Sequence, residues 1–312
     1  GGPENPHLYF TERPYCGWFS FWGLAGNGCR DGHYNPDADR DDYKSAIRVA
    51  KEGVTMALAY RLSGKDIYAQ KTLKLLYSWM IEKETRLTPV FTNQQSYIEL
   101  SITHLGILYA TNLVWSFNGW TTEEKIAVLE WIGALGESAE KWQRTNNFED
   151  WRIALRLSIF SMTDDTKQMA NAVNDFKKRI TEVISLKGEM LNELNRTQSL
   201  SYSLYAINAM TQSAEIAYKN GIDLYGYRDS RGVGLETALD YHARFALTIE
   251  AKEWPYQQIR KLSKSDVAIY ELAYKRYGKE PYAELLMNWG RPLIEIRVQQ
   301  WISLIHGKVI SH

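Results

Sequence analysis

An arginine and a tyrosine six residues apart, Arg196 and Tyr202, are the residues of this sequence whose types best suit a chemical role. They stand at the start of a long amphipathic segment, and Tyr205 shares a face with Tyr202 if that segment is helical. A guanidinium matches a carboxylate bidentately, and a nearby cation favours the ionised form of a phenol, whose ordinary pKa is ~10. The pair could therefore neutralise a carboxylate and move a proton beside it, which is the chemistry of a β-elimination. The alternative is an exposed arginine at a helix start and two core tyrosines.

The segment from Thr145 to Arg152 holds a second group of candidates. Asn146 and Asn147 come just before a predicted helix, where asparagine is a common N-terminal cap, and the two acidic residues that follow suit the helix dipole. In a functional interpretation, Asn147 donates a side-chain N–H to a substrate carboxyl and Asn146 also contacts the substrate. Trp151 then serves as a scaffold or as a platform for a sugar ring. Helix capping alone explains much of the pattern.

The elements that must position these groups are almost all helical. Apolar positions recur at helical spacing and predict helices over 42–62, 66–84, 95–117, 121–142, 149–163, 166–186, 198–220, 234–250, 263–277 and 281–289. Short connections between them predict antiparallel hairpins, which can close into an incomplete α/α barrel, or toroid, whose inner helices line a cleft. One segment, 292–298, alternates enough to suggest a strand. We predict an all-α toroid over residues 41–312, preceded by an irregular arm over residues 1–40.

Several of these segments together resemble a known family. The residues concerned are Glu193-Leu194, Arg196-Thr197, Ser199 to Ser203, Asn220 to Tyr225 and Ala238 to Tyr241. They are similar to the alginate lyase superfamily of α/α-toroid polysaccharide lyases, which includes mannuronate lyases and glucuronan lyases. The likeness covers roughly residues 40–250 and is most specific over 189–241. It implies an enzyme that cleaves an acidic polysaccharide of uronic acids without a metal or another cofactor.

The resemblance also implies roles for individual residues. Asn147 and Arg196 match the family's residues that neutralise the uronate carboxyl, and Tyr202 matches the tyrosine that removes the C5 proton and protonates the leaving O4. Phe148 stands where the family usually has a histidine, so that role is missing or is supplied elsewhere. In mannuronate and glucuronate the C5 hydrogen and the C4 oxygen lie on one ring face, and a single tyrosine can serve both. The departure therefore favours syn elimination on polymannuronate, as in alginate, or on glucuronan.

Further substrate contacts are predicted outside this centre. Gln95 lies in a segment that resembles another part of the family, and His104 follows it on the same predicted helix. The arm of residues 1–40 could act as a lid, and its candidates for substrate binding are Trp18, Trp22, His33 and Tyr34. The alternatives are a core histidine at His104 and an arm that simply packs on the toroid.

Composition limits the other classes of function. Thirty-seven basic and thirty-seven acidic residues cancel, which gives no reason to expect nucleic acid or an anionic membrane as a partner. No apolar run reaches the ~20 residues that span a bilayer. The start at Gly1, without a methionine, suggests a trimmed leader or tag. We expect a secreted or periplasmic protein. Cys16 and Cys29 are either a disulfide or two free thiols, and the oligomeric state is left open.

Two other functions fit an α/α fold. A glycoside hydrolase needs a pair of carboxylates that flank the scissile bond, and Glu149 with Asp150, or Glu99, are the nominees. A non-catalytic protein that binds acidic polysaccharides is the second alternative, and the replacement of the family's histidine by Phe148 supports it.

Overall fold

The computed structural model describes residues 41–86, 94–141 and 145–310, except for the side chains of Gln94 and Gln95. These residues form twelve helices and, apart from three isolated bridges, no strand. The helices are α1 Asp41–Ser63, α2 Asp66–Met80, α3 Gln94–Val114, α4 Thr122–Glu140, α5 Asn147–Met162, α6 Thr166–Val183, α7 Ser199–Lys219, α8 Leu235–Ala243, α9 Lys264–Val267, α10 Tyr270–Tyr277, α11 Glu280–Trp289 and α12 Ile302–His306. The all-α prediction is confirmed for this part of the chain.

The chain divides into two compact units, with the boundary between Trp142 and Gln143. In the first unit α3 packs along α1 and also contacts α2, and residues 96–108 of α3 are all buried. Gly53 of α1 lets the two backbones approach, since a Cβ there would lie 3.2 Å from the Cβ of Ala110 on α3. The division into two compact units does not test the predicted single domain over residues 41–312, which stays a prediction.

The second unit is organised around α7, which packs along α5 and also contacts α6, α8 and α9. Between Ser199 and Ile207 of α7, only Tyr202 and Tyr205 are partly exposed, and the residues between and around them are buried. Because the two tyrosines are three residues apart, they share the face of α7 that reaches solvent at this end.

Residues 251–262, which we call the strap, pair with the start of α7. Ser199 N–H donates to the Gln257 carbonyl at 3.0 Å, and Ile259 N–H donates to the Thr197 carbonyl at 3.0 Å. The indole N–H of Trp254 donates to Ser199 Oγ at 2.6 Å. These contacts hold the strap against the start of α7.

Most helix bounds lie within four residues of the sequence prediction, and larger differences occur at three places. α8 ends at Ala243 rather than at residue 250, the segment 263–277 is split into α9 and α10, and α12 had no predicted counterpart. The periodicity of apolar residues predicted where helices occur. It could not predict the strap, because the hydrogen bonds of the strap are made to a part of the chain that is distant in sequence.

The strand suggested over 292–298 is wrong. The buried carboxylate of Glu295 accepts hydrogen bonds from the backbone N–H groups of Arg297, Val298 and Gln299, at 3.0, 2.6 and 3.0 Å. This side chain therefore folds the segment into a turn and takes the donors that a sheet would have used.

Several predictions concern residues outside the described ranges. They are the arm and lid, the candidates Trp18, Trp22, His33 and Tyr34, and the pairing of Cys16 with Cys29. Gln95 lies in the first turn of α3, but its side chain is also outside them. Within the described ranges, none of the helices is long and apolar enough to cross a membrane.

Candidate active site

The guanidinium of Arg196 stacks on the ring of Tyr202, with 3.8 Å between the guanidinium carbon and the ring centroid. Arg196 lies in the turn before α7, where its backbone N–H donates to the Glu193 carbonyl at 3.2 Å. Its side chain is 28% exposed, and Tyr202, in the first turn of α7, is half-buried. The structure thus brings together the cation and the phenol that an elimination beside a carboxylate requires.

A second arginine–tyrosine stack occurs at the other end of α7. Arg276 lies over Tyr218, also at 3.8 Å, and the same guanidinium bonds the buried carboxylate of Glu215 at 2.6 Å. A guanidinium over a phenol is therefore not diagnostic of a catalytic site by itself. Whether such a stack belongs to a catalytic site or is a structural contact depends on the residues that surround it.

A buried carboxyl group, that of Glu193, distinguishes the Arg196 stack. Its Oε1 accepts from the backbone N–H of Asn147 at 3.1 Å and from Asn147 Nδ2 at 2.9 Å, and its Oε2 accepts from Arg196 Nη1 at 3.2 Å. Glu193 is only 1% exposed. Burial raises its pKa to about 7, the hydrogen bond from Asn147 and the charge of Arg196 act to lower it, and the charge of Asp150 raises it. The two residues predicted to neutralise a substrate carboxyl thus share one buried carboxyl group.

The first turn of α5 is held from both sides. Asn146 Oδ1 accepts from Phe148 N–H at 3.2 Å, which is the capping interaction that the sequence predicts. Arg179 of α6 donates to Asp150 Oδ1 at 2.8 Å and to two backbone carbonyls just before the helix, at 2.9 and 3.3 Å. The backbone of Asn147 is therefore fixed where its side chain meets the α7 turn. A substrate contact by Asn146 stays a prediction.

Asn147 itself has unused hydrogen-bonding capacity. The residue is 1% exposed, and its Oδ1 is buried with no hydrogen-bond partner among the described residues. Its Nδ2 carries two hydrogens, and the bond to Glu193 uses one of them. A buried polar atom left unsatisfied costs ~1–3 kcal/mol, so such an atom calls for a functional explanation.

The rings of Trp151 on α5 and Tyr205 on α7 pack against each other at an interplanar angle of 43°. Their ring centroids are 5.0 Å apart, and the guanidinium of Arg297 lies 4.5 Å from the Tyr205 ring. Trp151 is 0% exposed, which favours the scaffold interpretation, and its use as a platform for a sugar ring stays a prediction. Tyr205 is half-buried, and its contact with substrate stays a prediction.

Phe148 stands where the family usually has a histidine, and no described histidine is placed to act as a base in its stead. Phe148 is half-buried next to Asn147. His104, His242 and His306 are all buried, and burial lowers the pKa of each to about 4. In the part of the chain that the structure describes, no exposed imidazole is therefore available as a general base.

His104 lies in the core of the first unit, not on an exposed surface. It is 0% exposed, its Nδ1 is 2.9 Å from the Leu100 carbonyl oxygen, and its ring stacks on Trp131 with centroids 5.5 Å apart. The indole N–H of Trp79 points at its Nε2 at 3.4 Å. The burial of His104 favours the core alternative, and its contact with substrate stays a prediction.

The strap adds a cation that the sequence patterns did not identify. Arg260 Nε donates to Gln198 Oε1 at 2.9 Å, and its two terminal nitrogens bind the Asp266 carboxylate at 2.9 and 2.7 Å. The pKa of Arg260 is raised, since burial, which lowers it, is outweighed by the bond and charge of Asp266 and by the Tyr202 phenol. Arg260 is far from Tyr202 in sequence, and only the pairing of the strap with α7 brings them near each other.

The described ranges contain no group of three or more His, Cys, Asp or Glu side chains that is placed to hold a metal ion.

Comparison with known proteins assigns the family. The sequence profile of the alginate lyase family matches residues 5–254, so the chain belongs to the alginate lyase family. No curated protein matches the chain in sequence. Family and fold together make it a polysaccharide lyase.

Three solved structures support the fold. The chain is 23% identical to an alginate lyase from Bacteroides ovatus, with a TM-score of 0.79 over 96% of this chain and 83% of that one. It is 21% identical to alginate lyase A1-III from Sphingomonas species A1, with a TM-score of 0.75 over 99% and 86% of the two chains. A variant of A1-III in complex with a tetrasaccharide gives 20% identity and a TM-score of 0.75 over 100% and 86%. The α/α-toroid prediction is thereby confirmed.

Proposed function

We propose that this polysaccharide lyase cleaves polymannuronate, as in alginate, or glucuronan by syn β-elimination and leaves 4,5-unsaturated uronate ends. The observation that carries the proposal is the connection of three groups: Tyr202 lies under Arg196, and Arg196 is joined through Glu193 to Asn147. Among the described residues, the stack of Arg276 on Tyr218 is connected through Glu215 to Tyr225 and not to an asparagine.

The first requirement of the reaction is neutralisation of the substrate carboxylate. A C5 proton next to a carboxylate is too weakly acidic to be removed until hydrogen-bond donors stabilise the charge that develops on the carboxyl oxygens. The guanidinium of Arg196 and the second N–H of Asn147 Nδ2 are the donors proposed here. Both are preorganised, since Glu193 already binds each of them.

The second requirement is proton transfer on one face of the sugar ring. The ionised phenol of Tyr202 removes the C5 proton, the C4–C5 double bond forms, and the C4–O4 bond breaks. The same phenol then returns the proton to the leaving O4. The guanidinium of Arg196 lies 3.8 Å from the centre of this ring, so its positive charge is close to the phenol during both proton transfers.

The syn course is supported by the replacement of the family's histidine by Phe148 and by the burial of the described histidines. Anti elimination, as on guluronate or galacturonate, needs a base on the face opposite the acid. Phe148 can supply neither a base nor an N–H, and the described histidines are buried with pKa values near 4. One tyrosine acting as both base and acid matches mannuronate and glucuronate.

A glycosidase mechanism is disfavoured by the carboxylates nominated for it. Glu149 is bound by Arg152 at 2.8 and 2.5 Å, and Asp150 is bound by Arg179 at 2.8 Å. Both carboxylates are buried in these ion pairs and stabilise α5, so they do not form a pair that could flank a glycosidic bond.

The proposal is tested with a panel of polymannuronate, glucuronan, polyguluronate and polygalacturonate. Ultraviolet absorbance of the unsaturated product reports a lyase, whereas new reducing ends without that absorbance report a hydrolase. Binding without either product would support the non-catalytic alternative. Rapid product formation from polymannuronate or glucuronan, and little from the other two, is the expected result.

We further propose that the protein acts in the periplasm or outside the cell, because a long uronic-acid polymer does not cross a membrane unaided. Fractionation of the producing cells, with the lyase activity measured in each fraction, tests this. Activity confined to the cytoplasmic fraction would contradict it.

A further inference from the structure

We infer that Glu193 is a positioning residue that holds Asn147 and Arg196 in register for the substrate carboxyl. The inference rests on the proposed function, because it assigns Glu193 a role in that same site. Glu193 does not contact the substrate in this account. It acts through its two partners.

The two carboxyl oxygens of Glu193 bind different partners. Within the described ranges, Oε1 accepts from the backbone N–H and Nδ2 of Asn147, and Oε2 accepts from Arg196. A carboxylate repels the amide oxygen, so it fixes which end of the Asn147 amide faces it. The second Nδ2 hydrogen then points away from Glu193, and the Arg196 guanidinium is anchored by one nitrogen while it stacks on Tyr202.

The backbone that carries Glu193 is itself constrained. Glu193 N–H donates to the Met190 carbonyl at 2.9 Å, and Arg196 N–H closes the next turn on the Glu193 carbonyl at 3.2 Å. Met190 forms an isolated antiparallel bridge with Ile184 at the end of α6. The backbone of Glu193 is therefore fixed, so its carboxylate can fix the positions of the Asn147 and Arg196 side chains that bind it.

The charge state of Glu193 decides whether it can act in this way. Only the ionised carboxylate accepts from both partners without placing its own proton between them. The charged groups that face it are Arg196 from the same turn and Asp150 from α5, and Asp150 is in turn paired with Arg179 of α6. Burial and Asp150 hold the pKa of Glu193 at about 7 against the opposing effects of Asn147 and Arg196. Assembly of the site is therefore expected to be lost as the pH falls through the neutral range.

The test uses Glu193→Gln and Glu193→Asp in the full chain, with polymannuronate or glucuronan as substrate. A glutamine can still accept from Asn147 but loses the ion pair with Arg196, and an aspartate keeps the charge on a shorter stem. We expect kcat/KM of wild type to fall on the acid side of about pH 7. Glu193→Gln should lose this acid limb and lose at least ~10-fold in kcat at pH 8, while Glu193→Asp should retain the limb and recover part of the rate.

A matched control removes a different buried glutamate from an arginine pair. Glu271 is 0% exposed, and its carboxylate binds Arg291 at 2.7 and 2.6 Å and Ser303 at 2.5 Å. Glu271→Gln should keep the acid limb and the wild-type kcat, even if its melting temperature falls. A general loss of stability would affect both glutamine variants alike.

A second measurement separates binding from turnover. In a Tyr202→Phe background, which prevents turnover, calorimetry with a mannuronate hexasaccharide should show weaker binding when Glu193→Gln is added. Wild-type kcat/KM and an unchanged acid limb in Glu193→Gln would overturn the inference. Failure of the proposed function is a different outcome, since wild type would then give no unsaturated product from any polymer.

Discussion

The guanidinium of Arg196 covers the ring of Tyr202 at 3.8 Å and at the same time donates to the buried carboxylate of Glu193 at 3.2 Å. One side chain thus couples the candidate base to the turn that binds Asn147. The stack of Arg276 on Tyr218 at the far end of the same helix has the same distance and also a glutamate partner. The connection to Asn147 therefore defines the site more specifically than the stack does.

Replacing Arg196 by lysine should reduce activity while the fold is retained. Lysine keeps the charge but loses the planar fork and the stacking on Tyr202. We expect kcat/KM on polymannuronate or glucuronan to fall by ~10²-fold, the scale reported for loss of one oxyanion donor. Arg276→Lys is the matched control, because it changes an equally close stack in the same helix, and it should leave kcat/KM within about a factor of two. Equal losses in both variants would mean that the Arg196 stack is structural.

The raised pKa of Glu193 predicts a pH dependence of stability. An acid whose pKa rises on folding, here from 4.5 to about 7, stabilises the folded state fully below the unfolded pKa. That contribution is lost as the pH rises from about 4.5 towards 7, by at most ~3 kcal/mol. The free energy of unfolding of wild type relative to Glu193→Gln should therefore decrease between about pH 5 and pH 8 in urea titrations. A constant difference between the two proteins across this range would contradict the raised pKa.

Trp151 should behave as a core residue. It is 0% exposed, packs against Tyr205, and its indole N–H has no hydrogen-bond partner among the described residues. Trp151→Ala should lower the free energy of unfolding by ~3–5 kcal/mol. Trp151→Phe should cost clearly less, because no described hydrogen bond is lost and most of the ring is kept. If Trp151→Ala instead weakened substrate binding at unchanged stability, the tryptophan would contact sugar after all.

The sequence was sufficient for the helical architecture, because long amphipathic helices carry their apolar period in local sequence. Thr121 and Glu124 illustrate this, since a threonine three positions before a glutamate is a local helix-start signal and the two form a capping box at the start of α4, with hydrogen bonds of 3.1 and 2.9 Å. The pairing of Arg196 with Tyr202 was also accessible, because both residues lie within two turns of one helix start. Their chemical roles came from the resemblance to a family, and local spacing alone could not assign them.

The contacts that could not be predicted from the sequence join residues that are far apart in the chain, or depend on which side chains become buried. Glu193 was noticed as part of a motif, but its bond to Asn147, 46 positions away, needed the packing of α5 against the α7 turn. Arg260 reaches the same region only because the strap pairs with α7. His104 looked like a substrate contact because its helix was visible in the sequence, whereas its burial depends on the packing around α3.

The most direct test of the central claim is the formation of unsaturated product from polymannuronate and glucuronan by wild type and by Tyr202→Phe. The phenylalanine keeps the ring under Arg196 and removes only the hydroxyl that would carry the proton. Tyr218→Phe is the matched control on the same helix and should retain wild-type activity. The account predicts an active wild type and a Tyr202→Phe variant reduced by ~10²–10⁴-fold, the range for loss of a general acid–base group. Near-normal activity in Tyr202→Phe, or a wild type that prefers polyguluronate, would contradict the claim that one tyrosine performs both proton transfers.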